Sequence, residues 1–181
     1  MFSLFFNLVA FFCIIFFYFF FLFYSEPIVV GASVLALKYK DGVMMIADTA
    51  ASYGSMARYT NIDRLIPITS TTLIGHSGEL SDWQYLERSI KDTIDQDAIE
   101  SPGEEKTPNE IHSLVNRILH YYRNKGNPLY NSIVVGGINE ETDEIFLANT
   151  DLYGTFFQDD IVATGFGMYI ALPLLHSHQS N

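Results

Sequence analysis

Cysteine is almost absent from this chain: Cys13 is the only one among 181 residues. No disulfide framework and no thiolate metal site can form within one copy. Basic residues are scarce as well. Ten Lys and Arg stand against 21 Asp and Glu, for a formal net charge of -11, and they are scattered rather than clustered. That balance excludes the basic stripe of a nucleic-acid reader. Charge of either sign is missing from the first 25 residues; the first charged residue is Glu26 and the first basic one Lys38. No internal repeat runs through the chain, which excludes a solenoid or propeller.

What the opening segment does contain is aromatic. Eleven of the 15 Phe lie between Phe2 and Phe23. A helix over residues 1–24 would be roughly 36 Å long, enough to cross a hydrocarbon core of about 30 Å. Its flanks do not suit a signal peptide, because there is no basic n-region and no small-residue cleavage site. The orienting charge of a membrane span is also poor. Phe, Leu, Ile, Tyr and Ser share T-rich codons, so a translated pyrimidine tract ahead of a splice acceptor would give the same run. Residues 1–25 are therefore read as a leader that is either a gene-boundary artefact or a transmembrane segment. A membrane is expected as a partner only if the 1–24 span is genuine.

The remainder, of one domain's length, is acidic and patterned. Val29 to Tyr39 is β-rich and meets a tight turn at Lys40-Asp41-Gly42. Val43 to Ala47 reads as a buried strand ending at Asp48. Thr49 to Ala57 reads as a loop of small residues, and Leu65 to Ile68 with Thr71 to Ile74 as a second hairpin. Leu80, Trp83, Leu86, Ile90 and Ile94 have helical spacing, followed by an acidic loop from Asp95 to Lys106. Thr107-Pro108-Asn109-Glu110 is a capping box with proline at the first helical position. The apolar stripe of that second helix runs from Ile111 to Tyr122, and Gly126-Asn127-Pro128 stops it. Strands are expected at Ser132 to Val135, Glu144 to Ala148 and Gly154 to Phe157. A last helix is expected from Gly167 to Leu172, broken by Pro173, with residues 176–181 as an unstructured tail. The layout is α+β.

Few residues stand out chemically. His112 and His120 share a helix face two turns apart, too far for a helical metal pair, and His176 and His178 lie in the tail. Solvated or core-edge histidines are the expectation. Gly165-Phe166-Gly167 lacks the spacing of a dinucleotide loop and reads as a tight strand-to-helix turn. Asp48 closes an apolar strand, either capping turn amides or orienting a reactive group. The residues alone leave both readings open.

The stretch from Gly31 through Val34-Leu35-Ala36-Leu37 and Asp41-Gly42 to Ile46-Ala47-Asp48 resembles the opening hairpin of proteasome β subunits. Ser52 to Arg58, Asn61-Ile62-Asp63-Arg64, Asn127 to Asn131, Ala163 to Tyr169 and Pro173-Leu174-Leu175 resemble, in that order, a non-catalytic branch of the family. That branch fills the seventh β position of the 20S core. The resemblance covers residues 26–175. It implies an N-terminal-nucleophile hydrolase fold, a four-layer αββα sandwich of two antiparallel sheets, expected here to be incomplete at the C-terminus.

In active members a threonine hydroxyl attacks the peptide carbonyl, its own α-amine takes the proton, and a lysine and an aspartate tune the pair. Here the resemblance places Ala32 at the threonine, Asp48 at the aspartate, Arg64 at the lysine and Phe166 at a serine between two glycines. The expected site is therefore degenerate, with no cofactor and no metal, and the chain a structural subunit in protein degradation. Implied partners are other β subunits in a heteroheptameric ring, α-ring subunits and the opposite β ring, in cytoplasm and nucleus. Two alternatives remain: a peptidase using Ser33, whose side chain should point away from that of Ala32, or a membrane-anchored globular protein.

Overall fold

A computed structural model of the chain describes residues 29–103, 105–140 and 142–179. The leader assigned to residues 1–25 lies outside the described residues. Strand β1, Val29–Gly31, opens the fold. β2, Val34–Tyr39, and β3, Gly42–Ala47, form the expected hairpin, with Tyr39 opposite Gly42. The segment expected to be a loop is instead a second hairpin, β4 Ala51–Tyr53 and β5 Met56–Tyr59, turned at Gly54 with φ 57°. Its small residues carry no strand signal. β4 is a strand because β1 pairs with it, Val30 opposite Ser52 and Gly31 opposite Ala51.

β6, Leu65–Pro67, and β7, Thr72–Glu79, form the next hairpin and lead directly into helix α1, Leu80–Glu100. Glu79 caps that helix by accepting from the Asp82 amide. α1 runs six residues into the stretch expected to be an acidic loop. Ile94 packs against the core there, and Lys106 reaches back to Asp97 at 2.8 Å. α2, Pro108–Asn124, starts at the capping box read from the sequence. Thr107 accepts from the Glu110 amide and Glu110 accepts from the Thr107 amide.

β8 Asn131–Asn139, β9 Glu144–Thr150, β10 Phe156–Gln158, β11 Ile161–Ala163 and α3 Gly167–Gln179 complete the chain. β11 is an addition to the expected strands; three residues are too few to show a period. α3 passes through Pro173 and continues to Gln179, into the expected tail. Proline removes one bond, to the carbonyl of Tyr169. Tyr169 itself is 75 % exposed.

All strand pairing is antiparallel. The large sheet runs β10-β9-β8-β7-β1-β4-β5, with β6 also on β7, and the small sheet runs β11-β2-β3. α1 and α2 pack Trp83, Leu86, Ile90, Ile111, Val115 and Leu119 against Ile74, Ile133 and Val135 of the large sheet. Each such buried side chain contributes roughly 1.5–3 kcal/mol. The opposite face of that sheet meets the small one through Val34, Ala36, Met45, Val134, Leu147 and Val162. The sheets approach so closely that a Cβ on Gly136 would lie 2.6 Å from Met45 Cε. α3 lies on β11 and β2. The order is helices, sheet, sheet, helix: the α+β, αββα architecture implied by the resemblance. Among the described residues no helix is long and apolar enough to cross a membrane.

Candidate functional site

The small sheet ends where β1 hands over to β2, at Ala32 and Ser33. Ala32 is exposed there. Beneath it lies Arg64, only 2 % exposed, on the segment entering β6. An arginine is tolerated in such a place only if its donors are all used. Nη1 donates to Asp48 Oδ1, at the end of β3. Nη2 donates to the Ala32 carbonyl at 2.5 Å and to the His76 carbonyl at 2.9 Å, and Nε also reaches His76 O at 3.2 Å. The guanidinium thus ties together the β1–β2 junction, the end of β3 and the middle of β7. Gly31 makes room for it, since a Cβ there would lie 2.8 Å from Arg64 Nε.

Burial pulls the Arg64 pKa below its ordinary value, and Asp48 pulls it back up. The group stays a cation with a fixed fork of donors. Asp48 is half open to solvent, its side chain 49 % exposed. Ala32 brings no atom able to attack a carbonyl.

The structure therefore brings Ala32, Asp48 and Arg64 together. Phe166 is not part of that cluster. Its side chain is 79 % exposed, and its turn reaches the strand through Ser33, whose Oγ accepts from the Gly167 amide at 2.8 Å. Ser33 points at that turn, while Arg64 holds the Ala32 carbonyl.

Two residues of the cluster do not stand out in the sequence. His76, 1 % exposed, stacks on Trp83 with ring centroids 4.2 Å apart. Burial lowers its pKa to about 3; the Arg64 cation adds to the fall and the Asp63 carbonyl opposes it. Thr164, also buried, holds the start of β2 from both sides. Its Oγ1 accepts from the Val34 amide at 2.9 Å and its own amide donates to the Val34 carbonyl at 2.9 Å. A lone threonine between an apolar triplet and a glycine carries little signal. The His76 contribution is a backbone carbonyl, which no side-chain pattern reveals. Among the described residues no group of three or more His, Cys, Asp or Glu could hold a metal ion.

The family model described as proteasome subunit matches residues 28–181. A proteasome subunit beta type-4 of Arabidopsis thaliana is 42 % identical over 149 residues, covering 82 % of this chain and 60 % of that protein. A probable proteasome subunit beta type-7 of Schizosaccharomyces pombe is 40 % identical over 150 residues, covering 83 % of this chain and 57 % of that one. A proteasome subunit beta type-7 of Saccharomyces cerevisiae is 39 % identical over 155 residues, 83 % of this chain and 58 % of its own length. The chain spans a little under three fifths of the length of most of these relatives.

Proposed function

Because this chain belongs to the proteasome subunit family, we propose that it serves as a structural β subunit of the 20S core that cuts no peptide bonds itself. Its role is then to help build the chamber in which proteins are degraded. Its partners are other β subunits in a heteroheptameric ring, the α ring and the opposite β ring, in cytoplasm and nucleus.

One observation carries the non-catalytic reading. The Arg64 fork holds the Ala32 carbonyl and Asp48, and in this reading Ala32 is the counterpart of the family's threonine. Without a hydroxyl, no acyl intermediate forms. Without a free α-amine, no base is at hand. Arginine at the lysine position cannot give up a proton near neutral pH. We take Ala32, Asp48, Arg64 and Phe166 as the degenerate counterparts of the active site. The arrangement of the first three has become a fastening. In this reading Ser33 does not replace the threonine: its Oγ is turned to the Gly167 amide, and inside a continuous chain it has no free α-amine to act as base. No cofactor enters this reading.

The test is mass spectrometry of purified 20S particles from the source. Peptides from Tyr39 to Arg117 are expected in stoichiometric amount. Their absence from the particle overturns the proposal.

A further inference from the structure

The α2 helix and the last strand of the large sheet enclose a groove of about 460 Å³. His112, Asn116 and His120 rise along its helical wall at successive turns, with Arg117 beside them; Phe156 and Gln158 of β10 form the other wall. Phe156 lies edge-on to His112, ring centroids 5.1 Å apart.

Three features distinguish this groove from the rest of the surface. First, its lining holds no Asp or Glu, although the chain carries 21 of them against ten Lys and Arg. The carboxylates next along β10 are engaged elsewhere, Asp160 with Lys38 at 3.3 Å and Asp159 with the Asp160 amide. Second, part of its polar lining is uncommitted, although His112 Nε2 is paired with Thr150 Oγ1 at 2.8 Å and Ser113 Oγ donates to the Asn109 carbonyl at 2.9 Å. Among the described residues Arg117 makes no ion pair, and the buried Asn116 Oδ1 has no partner. Third, β10 is the end of the sheet, paired only with β9 among the described residues. Phe156 and Phe157 are 51 % and 46 % exposed on it. An open edge with exposed aromatic residues is a template for another strand.

We infer that this groove receives an extended acidic segment of another polypeptide, laid along β10 with a carboxylate on Arg117. The edge supplies main-chain hydrogen bonds, the aromatic rings supply apolar cover, and Arg117 selects the charge. The inference goes beyond the ring-building role and does not depend on it.

A benzophenone amino acid in place of Gln158, introduced into the full chain in its source cells, tests it. Illumination followed by sequencing of the cross-linked peptide should give one segment with net negative charge. Adding Arg117→Glu should cut the yield about ten-fold or more, as expected for reversing one member of a close charge pair, while Arg117→Lys should keep most of it. Cross-links to a neutral or basic segment overturn the inference, as does a yield unmoved by Arg117→Glu. So does a yield no higher than that from the same probe at the exposed Arg88. A partner outside the 20S particle would leave the groove's role intact and count against the proposed function instead.

Discussion

The guanidinium of Arg64 donates to the backbone carbonyl of Ala32 at 2.5 Å across 32 residues of sequence. That bond joins two residues that the proposed reading takes as counterparts of the family's lysine and threonine, and it makes Arg64 part of the framework. Arg64→Lys should keep a cation near Asp48 but leave the Ala32 or the His76 carbonyl unpaired. We expect a loss of about 2–4 kcal/mol in urea denaturation, in the range for unpairing buried polar partners. Asp48→Asn should cost about 1 kcal/mol or less, because that carboxylate is half exposed and screened by water. A larger effect at Asp48 than at Arg64 would contradict this assignment.

His76 gives a pH signature. Its pKa falls to about 3 in the folded chain, from an ordinary value of 6.5, chiefly through burial. The unfolded chain then binds one more proton than the folded one between those two values. Stability from this group is complete above pH 6.5 and is lost as pH falls toward about 3. The slope approaches about 1.4 kcal/mol per pH unit in the middle of that window. His76→Phe keeps a flat ring against Trp83 and cannot be protonated. The difference between the two proteins' denaturation midpoints should open below pH 6 and be flat above pH 7. A difference that does not change with pH would remove His76 from the account.

Restoring the nucleophile alone should not restore catalysis. In Ala32→Thr the peptide bond after Gly31 is still intact, β1 is still paired on both sides, and Arg64 still holds the carbonyl of residue 32. The α-amine that would serve as base does not exist until that bond is cut. Intact-mass measurement after treatment with an electrophilic peptide probe should show the unmodified, uncleaved variant. A stoichiometric adduct, or loss of the mass upstream of position 32, would show that the fastening does not hold.

The parts of the fold that can be read in advance are those whose cause is local. The Thr107–Glu110 box closes within four residues, so α2 begins where the spacing says it should. The Trp83–Leu86–Ile90 stripe is likewise a property of one helix. β4, and β5 paired to it, escape such a reading because the partner of β4, β1, lies some twenty residues away and is itself only three residues long. Asp95 to Glu100 resembles a loop by charge, yet Ile94 against the core and the Asp97–Lys106 pair carry the helix onward. At the site, family resemblance singles out Ala32, Asp48 and Arg64, which the fold brings together. It does not show that the fork of Arg64 closes on two backbone carbonyls, because carbonyls have no identity in a sequence. Flanking glycines group Phe166 with the others, but that turn is held by Ser33, and its ring faces solvent.

The path of the large sheet is β7-β1-β4-β5, so among the described residues Val29–Gly31 is the only strand joining the β4–β5 hairpin to the rest of the sheet. Every residue of β5 is exposed, and a two-stranded hairpin without neighbours is marginal in water. Cutting the chain after Gly31 and releasing what precedes it should therefore free residues 51–59 without touching β8 and β9, which pair with each other, β8 also with β7 and β9 with β10. A protease site engineered between Gly31 and Ala32 makes this measurable by hydrogen exchange before and after cleavage. Amides of β4 and β5 should lose most of their protection, while those of Ile133 to Val135 and Leu147 to Asn149 keep theirs. If the hairpin stayed protected after β1 had left, some other contact would have to be holding it. If β8 and β9 opened as well, β1 would be holding more of the sheet than its pairing with β4 and β7 accounts for.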